Sequence, residues 1–167
     1  MRDAVLTGAL LCGALGMPLG LARARTRMWS ICALVVSALV TNVAVAQAHV
    51  RPDWADALFL NSWISVVGSA ASVYLPCPVG LLAALLLSLN AGIWCGGIHA
   101  LAGSGSPFAV IGSLPAVAVL WPVGWAVRRD ATLAIKVFGS WLIAMAALSA
   151  ALQFLPVTPG YVPDHLE

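Results

Sequence analysis

The sequence is short of charge. Of its 167 residues, eight are Lys or Arg and six are Asp or Glu, so charged residues make up 8% of the chain. A soluble domain carries about 25%. Apolar residues reach 62%, and the mean hydropathy is +0.99. A small domain in water leaves too much of its chain exposed to hide that much apolar surface. The shortage therefore excludes a water-soluble globule and requires lipid as the solvent. A net charge of +2, with no basic stripe, gives no electrostatic footing for nucleic acid. Lysine is nearly missing too: Lys136 is the only one, among many Ala, Gly, Val and Arg residues. That bias is expected of GC-rich bacterial coding.

Acids are missing where an ion pump would use them. Asp3, Asp53, Asp56, Asp130, Asp164 and Glu167 all lie outside the long apolar stretches. This excludes an intramembrane carboxylate relay of the kind that couples transport to ions or protons. The chain holds no glycine-rich phosphate loop, no HExxH and no CxxC. No histidine stands near a serine–acid pair in sequence, and no enzyme is expected. Cys12, Cys32, Cys77 and Cys95 are too scattered to suggest a disulfide framework.

What the sequence does have is long apolar runs. A spanning helix needs about 20 mainly apolar residues. Six stretches qualify: 4–22, 28–48, 57–75, 79–102, 108–127 and 131–154. The expected fold is all-α: one polytopic integral membrane domain, a six-transmembrane-helix bundle with short loops. Pro76-Cys77-Pro78 divides the third and fourth stretches, because proline disfavours helix in the residue before it. Residues 155–167 contain three prolines and are expected to be an extended tail. Ala22-Arg23-Ala24 resembles a signal-peptide cleavage site, but the first stretch is long for such a segment and its N-terminal charge is weak. A first span is the preferred reading.

The arginines set the orientation. Arg23, Arg25 and Arg27 follow the first stretch, and Arg128 and Arg129 follow the fifth. Six spans put both groups on one side, and the positive-inside rule makes that side cytoplasmic. The expectation is a multi-pass inner-membrane protein with both termini on the non-cytoplasmic side. Trp29, Trp121 and Trp125 then mark the cytoplasmic boundary, and Trp54 and Trp94 the outer one.

Small and polar residues recur at helical spacing. The third stretch aligns Asn61, Ser65, Gly68, Ser69 and Ser72; the fourth aligns Ser88, Gly92, Cys95, Gly96 and His99, and also carries Asn90. The second offers Ser30, Ser37 and Thr41, and the sixth Lys136, Ser140, Ala144, Ala147 and Ala151. Such stripes serve close helix packing in lipid. The stripes on the third and fourth stretches could equally line a polar path. Pro115, preceded by Gly112 and Ser113, is expected to kink the fifth stretch. Lys136 lies early enough in the last stretch for its side chain to snorkel to the headgroups. Gly16 and Gly20 form a GxxxG pair on a terminal helix and are the expected external contact for self-association.

The segment GIWCGGIHALAGSGSPF sets Cys95 and His99 one turn apart before a Gly/Ser break. His49 and His99 fall at similar depth on the same expected side. Two such histidines could hold a haem, or a metal with Cys95 as a soft ligand. Close packing through Gly92, Gly96 and Gly97 is preferred, and no cofactor is expected. The functional expectation is a small channel or transporter for a neutral or weakly charged solute. The alternatives are an accessory subunit of a larger membrane complex and a haem- or metal-binding redox protein. Expected partners are the lipid bilayer and either a second copy or a membrane-complex partner.

Overall fold

A computed structural model of the chain describes residues 4–48, 54–75, 79–102 and 107–154. Seven α-helices follow one another: α1 (Ala4–Leu21), α2 (Ala24–Gln47), α3 (Ala55–Ala71), α4 (Leu81–Leu101), α5 (Pro107–Ser113), α6 (Leu120–Arg128) and α7 (Thr132–Phe154). A 3₁₀ turn, Ser72–Tyr74, extends α3, and a longer 3₁₀ segment, Leu114–Val119, joins α5 to α6. There is no strand among the described residues. Five helical segments are long and apolar enough to cross a membrane: Ala24–Gln47, Asp56–Tyr74, Leu81–Leu101, Val110–Arg128 and Thr132–Leu152. Leu6–Leu21 is a shorter apolar helix. The chain is a helical membrane bundle, with five such segments where the sequence suggested six.

Among the long apolar helices, α1 is the most enclosed. Leu11, Cys12, Ala14, Leu15 and Met17 of α1 are wholly buried. The surrounding helices turn Val36, Val40, Leu82, Leu86, Ile93, Leu133 and Leu148 outward. In water this would be an inverted pattern. In lipid, outward apolar residues cost nothing, and the interior is selected for close fit. The charge-free sequence of α1 suits its position, surrounded by protein on most sides.

Two boundaries differ from expectation for local reasons. The arginine-rich segment is not a loop, since α2 begins at Ala24 and takes in Arg25 and Arg27. Arginine is a good helix former, and Arg27 Nε donates to the Ala22 carbonyl at 2.8 Å, satisfying an acceptor left over at the end of α1. The fifth span does more than kink at Pro115, because six residues wind as 3₁₀. Proline removes a donor and clashes with the carbonyl one α-turn earlier, and the tighter winding removes the clash. Pro122 lies in the first turn of α6, directly after the 3₁₀ segment.

Glycines decide how the helices pair. A Cβ on Gly92 would collide with Ser37 Oγ and come within 2.6 Å of the Leu34 carbonyl; one on Gly96 would collide with the Ala38 carbonyl. α2 and α4 therefore meet backbone to backbone, and they run parallel, Leu34 beside Gly92 and Ala38 beside Gly96. The α2 stripe in this seam is Ser30, Leu34, Ala38 and Asn42. Of the expected stripe, Ser30 is buried, Ser37 is half-buried with its hydroxyl against Gly92, and Thr41 is half-buried. α1 is likewise parallel to the broken fifth span. Gly8 faces Ser113, Gly16 faces Val117 and Leu120, and Gly20 faces Val123. α3 and α7 are antiparallel, with Tyr74 Oη donating to the Lys136 carbonyl at 2.5 Å and Ala70 lying beside Gly139. These directions are those of a chain that reverses at every turn.

Two expectations are corrected here. Gly16 and Gly20 do not face outward; both are buried against the 3₁₀ segment and α6. The broken span supplies a neighbour whose loosened winding admits a close approach, so the first helix is enclosed although it is terminal in sequence. The expected α7 stripe is also on the wrong face. Lys136, Ser140, Ala144, Ala147 and Ala151 are exposed, while Ile135, Leu142 and Ala146 are buried. The face that packs mixes branched and small residues, with Gly139 buried between Ile135 and Leu142.

Candidate functional site: buried polar groups in the bundle

Three sets of interior polar groups cross between helices. The first joins α1, α4 and the end of α5. Cys12, Cys95 and His99 are fully buried, and Ser113 is 1% exposed. Ser113 lies at the last residue of α5, where the backbone changes to 3₁₀. Its hydroxyl donates to the Val110 carbonyl at 2.8 Å. With that proton committed, the oxygen is left to accept. Cys95 Sγ and His99 Nε2 each lie 3.4 Å from it. α1 and α4 are antiparallel here: a Cβ on Gly8 would approach His99 Nε2 to 2.8 Å. One turn further along each helix, Cys12 and Cys95 lie level with one another, both fully buried.

The second set crosses from α3 to α4. Asn90 Nδ2 donates to Ser65 Oγ, and Asn90 Oδ1 accepts from Trp94 Nε1 at 2.8 Å. A carboxamide with both ends engaged can be buried at modest cost. The third set is the α2–α4 seam. Asn42 Nδ2 donates to the Gly96 carbonyl at 3.4 Å. By the register of Leu34 and Gly92, Ser30 and Ser88 lie level with one another. Ser30 Oγ, Asn42 Oδ1, Ser69 Oγ and Ser88 Oγ are buried and have no hydrogen-bond partner among the described residues. Each such group costs about 1–3 kcal/mol.

The structure sorts the residues expected from sequence. Ser65 and Asn90 come together, Ser69 and Ser88 are buried, and Cys95 and His99 share one cluster. Asn61 does not join them, since it is exposed and bonds its own helix at the Ala57 carbonyl. Ser72 bonds the Ser69 carbonyl, also within its own turn. Pro115 lines an outward-facing groove of 480 Å³ with Arg27, Met28 and Trp121, away from the buried polar sets. Lys136 is exposed and takes part through its carbonyl alone. His49 lies outside the described residues, and so does His165. Among the described residues, no three His, Cys, Asp or Glu side chains are placed to hold a metal ion together.

Asn42, Cys12 and Ser113 are the members that sequence reasoning did not place. Asn42 was legible in principle, as the fourth residue of a strict four-residue stripe from Ser30. Cys12 was not, because nothing in sequence says that α1 lies against α4. No protein-family model, characterised protein or solved structure matches the chain.

Proposed function

We propose that the chain is a six-span inner-membrane protein that moves a small neutral or weakly charged solute, with both termini on the non-cytoplasmic side. The observation that supports this reading is the set of buried side-chain oxygens without partners among the described residues: Ser30, Asn42, Ser69 and Ser88. Helix packing alone gives no return for burying them, since alanine would fit the same space without the desolvation cost. A polar solute or water passing between α2, α3 and α4 would offset that cost while bound. The groups are hydroxyls and an amide, with no carboxylate among them, which suits a neutral solute over a divalent ion. The break at Ser113 supplies a hinge of the kind transporters use, where departure from regular α-helix frees backbone groups beside the site. The tight α2–α4 seam belongs to an occluded state on this reading, and transport requires it to part.

The experiment is flux into proteoliposomes. Stopped-flow light scattering with glycerol, urea and formamide should show permeation above protein-free vesicles. Asn90→Leu, which removes the central amide, should reduce it severalfold. Permeability equal to that of empty vesicles for every solute tested would end the proposal.

A further inference from the structure

The broken fifth span leaves a gap that the bundle does not fill. Residues Leu114–Val119 wind as 3₁₀, and an outward-facing groove of 480 Å³ lies between this segment and the first turns of α2. Its walls are apolar, with Met28, Ile31, Pro115, Ala118 and Trp121 among them. From Ala24 to Ile31 it follows α2 for about 10 Å at 1.5 Å per residue, within the roughly 15 Å of one leaflet. One wall residue is charged. Arg27 is half-buried, and its Nε is committed to the Ala22 carbonyl at 2.8 Å. Its Nη1 reaches towards α6, 3.9 Å from where a Cβ on Gly124 would stand. Among the described residues no acid lines the groove, and neither Nη atom has a hydrogen-bond partner. Arg23, Arg25, Arg128 and Arg129 lie at the same end of the bundle, with Asp130 the one acid there among the described residues.

We propose that this groove binds an anionic phospholipid, with the phosphate on the Nη groups of Arg27 and one acyl chain along the apolar walls. A guanidinium keeps its charge and presents a planar fork of N–H donors that suits a phosphate. Because Nε is held by the Ala22 carbonyl, the fork is fixed at the headgroup end of the groove. The excess of arginine at this end favours a headgroup of net negative charge over a zwitterionic one. The walls beyond it are apolar and outward-facing, and an acyl chain covers them without a polar contact to satisfy. A partner's spanning helix fits less well. It would run the full 30 Å or so of the hydrocarbon core, well past the groove, and would cover the guanidinium without pairing its charge. A lipid answers both ends, charge to charge and chain to wall. The inference needs the membrane setting and is independent of solute passage.

The test is native mass spectrometry of the full chain, released from a neutral detergent after incubation with phosphatidylglycerol and phosphatidylcholine of identical acyl chains. One phosphatidylglycerol should stay bound at collision energies that strip phosphatidylcholine. Arg27→Gln should lower its retention about fivefold, the weight of one basic residue at an anionic surface. Ala118→Trp fills an exposed part of the groove, leaves every arginine in place, and should lower retention as much. Arg25→Gln removes an arginine outside the groove and should change little. The unaltered chain carries the decisive readout, so a variant that fails to fold does not obscure the result. Equal retention of the two lipids by that chain would overturn the proposal. So would full retention in Ala118→Trp, or a loss in Arg25→Gln as large as in Arg27→Gln, which is the mark of diffuse attraction without a site. A lipid-free dimer split by Ala118→Trp would assign the groove to a second copy and overturn it as well.

Discussion

Gly16 lies directly beneath Val117: a Cβ on Gly16 would stand 3.1 Å from the Val117 carbonyl oxygen and 3.2 Å from the Leu120 amide nitrogen. A small-residue pair that reads in sequence as a dimer contact is thus spent inside the monomer. Replacing Gly16 and Gly20 together with leucine should therefore prevent folding of the bundle and leave self-association untouched. The expected result is a collapse in the yield of monodisperse protein, with the surviving fraction unchanged in stoichiometry by native mass spectrometry. A well-folded double variant with an altered oligomeric state would return these glycines to an outer surface.

The α2–α4 seam should be the least forgiving part of the chain. Gly96→Ala places a methyl group on the Ala38 carbonyl, and overpacking of this kind costs about 1–3 kcal/mol. Gly68 is the control, because nothing among the described residues lies within 4 Å of its would-be Cβ. Gly68→Ala should gain about 0.5–1 kcal/mol from the lower backbone entropy of alanine. Thermal unfolding in one detergent should move the two variants in opposite directions.

Asn90 and Ser65 should be energetically coupled. Their hydrogen bond links α3 to α4, and such bonds between membrane helices are worth about 0.6 kcal/mol on average, up to about 1.7. A double-mutant cycle with Asn90→Ala and Ser65→Ala should return a coupling in that range. Additive losses would mean that the bond contributes nothing to stability.

The turn between α6 and α7 tests a backbone effect. Asp130 has φ 55°, a left-handed conformation that glycine adopts freely and branched residues resist. The geometry is held by Ala131 N–H donating to the Ala126 carbonyl at 2.9 Å. Asp130→Val should destabilise by about 1–3 kcal/mol, whereas Asp130→Gly should be neutral or better. Equal melting temperatures for the two would contradict this backbone assignment.

Topology can be read by labelling. Single cysteines at Arg25 and Arg129, in a background without Cys12, Cys32, Cys77 and Cys95, should react with an impermeant maleimide only once the cytoplasmic face is opened. Asp53→Cys should react in intact cells. Arg25→Cys labelled from outside would invert the proposed orientation.

How much was legible can be argued from individual residues. The apolar runs announced a helical membrane bundle because lipid tolerates only internally bonded backbone, and Pro115 announced the weak point of the fifth span. Ser65, Asn90, Cys95 and His99 were visible as polar or ligand-type residues in apolar surroundings. Their partners were not visible. The α7 stripe beginning at Lys136 misled for the same reason. Small residues at helical spacing suit a neighbour's approach, but they do not say that a neighbour is there.

Composition and periodicity therefore determined the solvent, the secondary structure and the inventory of interior polar groups, since each depends on residues close together in the chain. Only the tertiary structure decided that α1 sits at the centre, that Gly16 and Gly20 face the broken span, and that Cys12 lies level with Cys95. In lipid every helix is apolar outside as well as inside, so hydrophobicity does not mark which face is buried. That choice falls to the fit of backbones at Gly92, Gly96, Gly16 and Gly20, a property of helix pairs that no single segment carries.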